Sequence, residues 1–296
     1  MASRITGETI LEHISILDKL YDAVRAVNPT MKTPISFNAR GEEQLASSCY
    51  DFWRRGEACE NCVSMRAYRE NETFVKLEYN SEHVFFVTAV PINLHGQRVV
   101  VEMLKDVTDS GIIEDLDQRS QQSIHDEIKI KNRLVVTDSL TQLYNRRYMD
   151  ERLPFDLLEA RINEQPLSIV LLDIDEFKQV NDLYGHAAGD SALAAVAELM
   201  KSQIRGTGDW IARLGGDEFV ICMKNTDQAQ AVTAMELVRK KIDGSSIVME
   251  DGRSVPITLS IGVETVYRQD ITVDEVLRRA DQKLYQAKRN GKNSVV

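Results

Sequence analysis

The sequence has no long apolar segment: no run approaches the roughly 18 residues that a membrane-spanning helix needs. The first ten residues hold one arginine and one glutamate without a continuous apolar core, so they resemble neither a secretion signal nor a lipidation motif. We therefore expect a cytoplasmic protein with no membrane span.

Excess positive charge is also missing. The sequence contains 36 Lys and Arg residues against 46 Asp and Glu residues, which gives a formal net charge of -10. Binding to the phosphate backbone of nucleic acids requires a cationic surface, so a general nucleic-acid binder is not expected. A single nucleoside triphosphate stays compatible with this charge, because a local cluster of metal ions and lysines can hold it.

Cysteine is scarce as well. Of the four cysteines, Cys49, Cys59 and Cys62 lie in one short segment, and their number and spacing do not suit a disulfide framework. They offer three soft ligands for zinc or iron, with His83 or His95 as a fourth, or two thiols for a reversible disulfide. Ordinary reduced thiols are the alternative. We expect a bound metal or a redox-active disulfide at these cysteines.

The remaining composition, 43% apolar and 28% charged, is typical of a soluble globular protein, and the length suits two domains. Apolar residues between positions 9 and 27 follow helical spacing and predict an amphipathic helix that ends at Asn28-Pro29. Three strand-like segments then predict an antiparallel sheet: 73–77, 84–90 and 98–104. Residues 99–109 resemble the last strand and exit of a PAS-like domain, so 1–108 is predicted to be a PAS-like α+β sensory domain.

The polar segment 109–137 predicts a linker helix. Its apolar residues fall into two heptad frames, Ile113, Leu116, Ile130 and Leu134 in one and Ile124, Ile128 and Val135 in the other. Polar residues interrupt the first frame, so a short parallel dimer contact is the cautious interpretation. A solvated helix is the alternative.

Beyond Asp138 the pattern becomes one of strands and helices, which predicts an α/β (α+β) domain with a central sheet flanked by helices. The predicted elements are strands 167–173 and 255–263, a β-hairpin through 210–223, and helices near 189–203, 228–241 and 273–288. The first strand runs straight into Asp173, and strand ends are where such sheets place ligands. A helix-capping cluster is the alternative interpretation, since Asp175 and Glu176 would suit the first turn of a helix electrostatically.

A second pair of acids, Asp217 and Glu218, follows two adjacent glycines in the predicted hairpin. Adjacent glycines permit a tight reversal that a phosphate chain could approach closely. Together with Asp173, the pair supplies three carboxylates, the hard oxygen ligands that Mg²⁺ or Mn²⁺ prefers. Such a site suits phosphoryl transfer, and Lys178 could supply a positive charge to the phosphates.

Several spaced motifs follow one another between residues 138 and 296. They are Asp138-Ser-Leu-Thr, Asp173-Ile-Asp-Glu-Phe-Lys178, Gly185-His186-x-x-Gly189-Asp190, Gly215-Gly216-Asp217-Glu218-Phe219, Thr258-Leu-Ser-Ile-Gly-Val263 and Ala280-Asp-x-x-Leu-Tyr285-x-Ala-Lys288. With this set, residues 138–296 resemble the GGDEF family of diguanylate cyclases, which condense two GTP molecules into cyclic di-GMP. Each domain would bind one GTP, so we expect a homodimer in which two loaded sites meet.

The resemblance also implies roles for individual residues. The implied ligands of two Mg²⁺ or Mn²⁺ ions are Asp173, the carbonyl of Ile174, Asp217 and Glu218. Asp217 would also lie near the attacking 3′-hydroxyl. The residues implied to bind the guanine base are Asn181 and Asp190, with Phe177 and His186 nearby. Those implied to contact phosphates are Lys178, Lys288 and Lys292.

Two positions depart from the family pattern. Gln142 stands where the first motif has glycine, which we expect the turn to tolerate. The family's product-inhibition site is an R-x-x-D motif, in which Asp209 is present but Gly206 replaces the arginine and Arg205 is one residue out of register. We therefore expect weak product inhibition. Two other functions stay open: a degenerate domain that only binds GTP or cyclic di-GMP, and a cyclase with another cyclic dinucleotide product.

Overall fold

A computed structural model describes residues 19–38, 41–44, 47–54, 56–94, 96–108, 110, 121–204, 208–244, 246–248 and 254–296. The chain divides into two compact units between Val135 and Val136. The predicted three-part division at residues 108 and 137 stays a prediction.

The first unit is built on one antiparallel sheet. Its elements are strands β1 (Ala23–Asn28), β2 (Thr33–Asn38) and β3 (Gly41–Gln44), a 3-10 helix (Cys49–Trp53), helix α1 (Val63–Glu70), strands β4 (Phe74–Tyr79), β5 (Val84–Leu94) and β6 (Gln97–Asp106), and helix α2 (Gln121–Val136). The strand order is β3-β2-β1-β6-β5-β4, so β4 lies at an edge. The three predicted strands are confirmed as β4, β5 and β6.

The predicted helix over residues 9–27 is wrong in its last part. Residues 9–18 lie outside the described residues, but Ala23–Asn28 forms strand β1, which pairs with both β2 and β6. Val24 and Val27 fit a strand as well as a helix, because β-branched residues pack well on a pleated surface. Pairing with two neighbouring strands decides between the two, and Val27 is fully buried there.

Helix α2 covers the C-terminal part of the predicted linker helix, while residues 111–120 lie outside the described residues. The second heptad frame faces the first unit, since Ile124 and Ile128 are buried in a cluster with Val84 and Val107. The first frame faces away from that cluster: Ile130 and Leu134 expose 59% and 66% of their surface, respectively.

The second unit surrounds a five-stranded sheet. Its elements are β7 (Tyr144–Asn145), α3 (Arg146–Ile162), β8 (Leu167–Ile174), α4 (Phe177–Tyr184), α5 (His186–Gln203), β9 (Trp210–Gly215), β10 (Glu218–Lys224), α6 (Gln228–Asp243), β11 (Ser246–Val248), β12 (Ser254–Pro256), β13 (Leu259–Val266) and α7 (Val273–Arg289). The strand order is β13-β8-β10-β9-β7, and only β7 and β9 pair in parallel.

This fold agrees with the expected mixture of sheet and helices. The predicted strand 255–263 is instead two strands, β12 and β13, because the chain leaves one sheet and enters another between Pro256 and Leu259. Helices α3 and α4 were not among the predicted elements. None of the helices in the described part of the chain is long and apolar enough to cross a membrane.

The centre of the sheet fixes the position of its acidic end. All eight residues of β8 are buried, and β8 lies between β10 and β13. Helix α7 packs so closely on β13 that a Cβ at Gly262 would overlap the backbone of Ala280 and Leu284. The close approach brings the end of α7 over the end of β8.

Candidate active site

The acidic end of the sheet is formed by β8 and the β9–β10 hairpin. Glu218 stands directly opposite Asp173 in the antiparallel register of β10 and β8. The backbone N–H of Ile174 donates to the carbonyl oxygen of Asp217 at 3.4 Å. The three carboxylates predicted from the sequence are therefore neighbours on adjacent strand ends.

The Asp173 carboxyl is electrostatically strained in this position. Burial raises the pKa of Asp173, and the nearby carboxylates of Asp217 and Glu218 raise it further. The Lys288 ammonium opposes this rise through its 2.8 Å ion pair with Asp173 Oδ2. A buried acid facing two other acids is a place where added positive charge is favourable.

The donors at this end of the sheet suit a hard divalent cation. They are carboxylate and carbonyl oxygens, which Mg²⁺ and Mn²⁺ prefer, and their combined charge is strongly negative. Yet no three Cys, His, Asp or Glu side chains anywhere in the described residues converge closely enough to form a metal-binding group. Asp173 contacts the Lys288 ammonium instead, so the chemistry of the donors fits a cation although their side chains are not gathered around a common point.

The glycine turn of the hairpin is held by one arginine. Gly216 adopts a left-handed φ of 55°, and the register between β9 and β10 shifts at Glu218 and Phe219. Arg213 donates from Nε and Nη2 to the carbonyl oxygen of Gly216 at 2.9 and 2.7 Å, and from Nη1 to Asp138 at 3.1 Å. Arg213 thus connects the turn to the first motif of the unit.

Asp138 is charged and fixed in this contact. Burial opposes its ionisation, but hydrogen bonds from Thr141 and the Arg213 guanidinium together hold its pKa below the usual value. Gln142, in the same turn, has a left-handed φ of 54°. A glycine would adopt this φ without strain, so the departure at Gln142 is accommodated at a backbone cost of about 1 kcal/mol.

The predicted guanine-binding residues lie on two consecutive helices, α4 and α5. Gly185, with φ of 85°, turns the chain between α4 and α5. Helix α5 then approaches α4 so closely that a Cβ at Gly189 would overlap Asn181 and crowd Phe177. Gly189 therefore lies against Asn181 and Phe177. Asp190, the next residue, is exposed at the start of α5, as is His186.

The three predicted phosphate-binding lysines lie at the same end of the unit but differ in their contacts. Lys288 pairs with Asp173, Lys292 pairs with Glu176, and Lys178 is exposed on the first turn of α4. Two of them therefore already contact the acidic residues of the β8–α4 segment.

Asp175 is a residue of the site whose role was missed. It is buried and accepts hydrogen bonds from Thr258 Oγ1 (2.7 Å), Ser260 Oγ (2.6 Å) and the backbone N–H of Asn293 (3.0 Å). The sequence suggested only a helix-capping role, yet Asp175 ties the end of β8 to β13 and to the loop that carries Lys292. The motif from Asp173 to Lys178 marks this segment as functional, but the residues that donate hydrogen bonds to Asp175 lie far along the chain and could not be identified from the motif.

The predicted product-inhibition half-site is only partly visible. Asp209 accepts a hydrogen bond from the backbone N–H of Lys224 at 2.8 Å, so its carboxylate already takes part in the β10 end of the sheet. Arg205 and Gly206 lie outside the described residues, and weak product inhibition stays a prediction.

The cysteine segment does not support a metal site. Within the described residues, Cys49, Cys59 and Cys62 belong to no group that could hold a metal ion. The Lys32 ammonium donates to Cys62 Sγ at 3.1 Å, and burial raises the pKa of Cys59 to about 11 and that of Cys49 further. One of the three suggested ligands, Cys62, therefore already contacts a cation.

Neither histidine suggested as a fourth ligand supports that metal. His83 pairs through Nδ1 with Asp106 at 2.8 Å, and His95 lies outside the described residues. All three cysteines are free thiols in the structure. A reversible disulfide among them stays a hypothesis.

Comparison with known proteins identifies the second unit. The family model described as "Diguanylate cyclase, GGDEF domain" matches residues 135–294. The chain is 41% identical over 164 residues to the response regulator PleD of Caulobacter vibrioides, a match that covers 55% of this chain and 36% of PleD. It is 39% identical over 166 residues to diguanylate cyclase A of Treponema denticola, covering 55% of this chain and 44% of that protein.

The solved structures agree with this match. The coiled coil and GGDEF domain of DgcB from Caulobacter crescentus, crystallised with c-di-GMP, superposes with a TM-score of 0.56 at 28% identity. The superposition covers 59% of this chain and 92% of the DgcB chain. The matched region of this chain spans less than half the length of either curated relative.

Proposed function

This chain belongs to the diguanylate cyclase GGDEF family, and from that premise we propose that it condenses two GTP molecules into cyclic di-GMP and two pyrophosphates. The observation that carries the proposal is the buried, electrostatically strained Asp173 facing Glu218 across the strand pair, beside a glycine turn and Lys288. GTP is an intracellular nucleotide, so the proposal also places the catalytic unit in the cytoplasm.

The acidic residues would hold two Mg²⁺ or Mn²⁺ ions per site. The residues are Asp173, Ile174 through its carbonyl, Asp217 and Glu218, and the bound metal would neutralise triphosphate charge and lower the pKa of the 3′-hydroxyl. The raised pKa of Asp173, caused by its burial and by the nearby Asp217 and Glu218 carboxylates, and the direct pairing of Glu218 with Asp173 across the strands support this assignment. Asp217 lies at the hairpin tip, where it can accept a hydrogen bond from the attacking hydroxyl.

Lysines and the glycine turn would hold the triphosphate. Lys178, Lys288 and Lys292 each supply a positive charge at the same end of the unit. Gly215 and Gly216 present backbone without side chains in front of it, so phosphate oxygens can approach closely. The Arg213 contacts keep this turn in one conformation before the substrate arrives.

The α4–α5 pair would select guanine. A carboxylate at Asp190 can accept from N1–H and the exocyclic amine of guanine, donors that adenine does not present in that arrangement. The contact between Gly189 and Asn181 supports a common binding position for Asn181 and Asp190. We predict that Asp190→Ala weakens the preference for GTP over ATP by about tenfold or more, measured as a ratio of kcat/KM values. An unchanged ratio would remove Asp190 from this role.

The product contains two symmetric 3′–5′ bonds, which form only when the GTP-loaded catalytic units of two chains face each other. We therefore propose a homodimer. Ile130 and Leu134 support this part of the proposal, because two large apolar side chains one turn apart on α2 are exposed. In the sheet of the first unit the order is β2-β1-β6-β5-β4, with β3 added at one edge, and this order supports a PAS-like domain. We propose that this domain is sensory and regulates how often the catalytic units of two chains meet.

Product analysis tests the central proposal. The full chain is incubated with GTP, with ATP and with both, in Mg²⁺, and the products are identified by mass spectrometry. Cyclic di-GMP from GTP alone is expected, and Asp173→Asn serves as the inactive control. Binding of GTP without turnover would instead indicate a degenerate receptor, and a mixed or adenine product would indicate a related cyclase.

A further inference from the structure

We propose that the first unit binds a small amphiphilic carboxylate, a short alkyl chain with one carboxylate head, in a cavity between β4 and α2. The cavity has a volume of about 250 Å³, and all of its lining residues belong to the first unit. That volume equals the liquid volume of about eight water molecules, which suits an acid of roughly four to six carbons.

One end of the cavity is cationic and buried. Arg66 exposes 8% of its surface, and the Lys76 side chain 6%. Arg66 donates to Asn61 Oδ1 at 2.7 Å, and Lys76 donates to the Asn61 carbonyl oxygen at 2.7 Å. Asn61 thus contacts both a guanidinium and an ammonium of the cavity lining, and two such cationic donors match the two oxygens of a carboxylate.

The charge around the cavity favours an anion. Three cations line it, Arg66, Lys76 and Lys131, against one acid, Glu127, which pairs with Lys131 at 2.7 Å. Even with Glu78, which pairs with Lys76 at 2.7 Å, the sum is three positive against two negative charges. A net positive lining is unusual in a chain whose formal net charge is -10.

The other walls of the cavity are apolar. They are formed by Val75, Leu77, Ile124, Ile128 and Val135. An apolar wall beside a buried cationic end favours a ligand with an alkyl body and a single anionic head, and it disfavours a free inorganic anion that would have to lose its hydration there.

Occupancy would be sensed directly by helix α2. Asn132 of this helix donates to the Leu77 carbonyl oxygen at 3.0 Å and accepts from Asn61 at 2.9 Å, so it fastens α2 to the β4 edge beside the cavity. A bound alkyl chain would add contacts to Ile124 and Ile128 on the same helix. The ligand would therefore strengthen the packing of α2 on its own unit.

Calorimetric titration of the full chain with hexanoate tests the site. Hexanol and inorganic phosphate are the matched ligands that lack, respectively, the charge and the alkyl body. Val75 lines the cavity and exposes 52% of its surface, so it tolerates substitution, and Val75→Glu and Val75→Lys differ only in the sign of the added charge.

We expect saturable binding of hexanoate, at least tenfold weaker binding in Val75→Glu, equal or tighter binding in Val75→Lys, and no saturable binding of hexanol or phosphate. Cyclase activity plays no part in this readout, so a failure of the proposed reaction leaves the result intact. No saturation by 10 mM hexanoate, equal effects of the two Val75 variants, or equal affinity for hexanol or phosphate would each overturn the proposal.

Discussion

Replacing Asp175 tests whether this buried carboxylate positions the loop that carries Lys292. The loop is held in an unusual conformation, since Gly291, Lys292 and Asn293 have φ angles of 108°, 63° and 43°. Such backbone conformations cost about 1–3 kcal/mol for each non-glycine residue and persist only when the surroundings enforce them. The hydrogen bond from Asn293 N–H to Asp175 is one enforcing contact.

The magnitude follows from the three hydrogen bonds that Asp175 accepts. Bonds to a charged group are worth about 1.5–3 kcal/mol each, and neutral ones about 1 kcal/mol. In Asp175→Asn the Ser260 hydroxyl can rotate to accept from the new amide, so the three bonds survive without the charge and the loss is about 2 kcal/mol. In Asp175→Ala all three donors lose their acceptor, and the loss is at least about 4.5 kcal/mol. Ser260→Ala, which removes one donor, should cost about 1–2 kcal/mol.

The assay uses the two tryptophans of the chain. Trp53 belongs to the first unit and Trp210 to the second, so a Trp53→Phe background leaves Trp210 as the reporter of catalytic-unit unfolding in urea. The same proteins are assayed for initial rates against GTP. We expect Asp175→Ala to raise KM several-fold with kcat nearly unchanged, because the Asn293 N–H loses its acceptor and Lys292 is displaced from the triphosphate while the metal-binding acids stay in place. Asp175→Asn, which keeps the three bonds, should change KM less.

Two results would refute this reasoning. One is a cost below about 1 kcal/mol for Asp175→Ala, which would mean that the three donors find other acceptors. The other is an unchanged KM for GTP in a folded Asp175→Ala protein, which would separate Asp175 from the position of Lys292. Asp182→Asn, an exposed acid on the same helix α4, is the control that should change neither stability nor KM.

Three further predictions concern the same unit. Asp217→Asn and Glu218→Gln should leave the circular dichroism spectrum unchanged and abolish cyclic di-GMP formation, because each removes a negative charge proposed to hold the metal; retained turnover in either would contradict the metal assignment. Asp173→Asn should stabilise the metal-free protein by about 1 kcal/mol at pH 7, since a carboxyl with a raised pKa destabilises the fold when ionised. This gain in the free energy of unfolding should disappear at a pH where Asp173 is protonated in both the folded and the unfolded chain. Denaturation of both proteins in EDTA at pH 7 and at pH 3 checks the direction of the change. Asp156→Ala should cost about 3–5 kcal/mol, because it leaves Lys224 and Arg152 without their buried partner; Glu159→Ala, which removes a more exposed partner of Lys224, should cost about 1 kcal/mol or less.

Much of the catalytic unit could be predicted from local pattern. The apolar residues of β8 form a continuous run, whereas a half-exposed strand alternates apolar and polar residues. The sequence therefore predicted a strand that ends at Asp173, and the structure shows it buried. Two adjacent glycines between strand patterns predicted the hairpin that carries Asp217 and Glu218. These features depend on residues close together in the sequence, which is where patterns are informative.

What the sequence could not predict depends on distant partners. The segment Ala23–Asn28 fits a helix or a strand, and only its pairing with β6, far along the chain, decides for the strand. Asp175 resembles a helix cap until Ser260 and Asn293 are brought to it by the packing of β13 and α7. The cysteine spacing suggested a metal, and only the position of Lys32 beside Cys62 shows a competing partner.

Arg213, which joins the glycine turn to Asp138, limits where the catalytic unit can be joined to a different N-terminal domain in a chimera. Thr137 accepts a hydrogen bond from Asn145 Nδ2 at 3.2 Å and bridges to Tyr144, so the ordered edge of the unit begins before the Asp138–Arg213 contact. A chimera whose junction lies after Asp138 would leave Arg213 with the Gly216 carbonyl oxygen but without the Asp138 carboxylate, and the turn would loosen whatever input module is attached. A junction upstream of Val136 keeps the whole set of contacts, so we expect other N-terminal modules to be exchangeable only at such a junction.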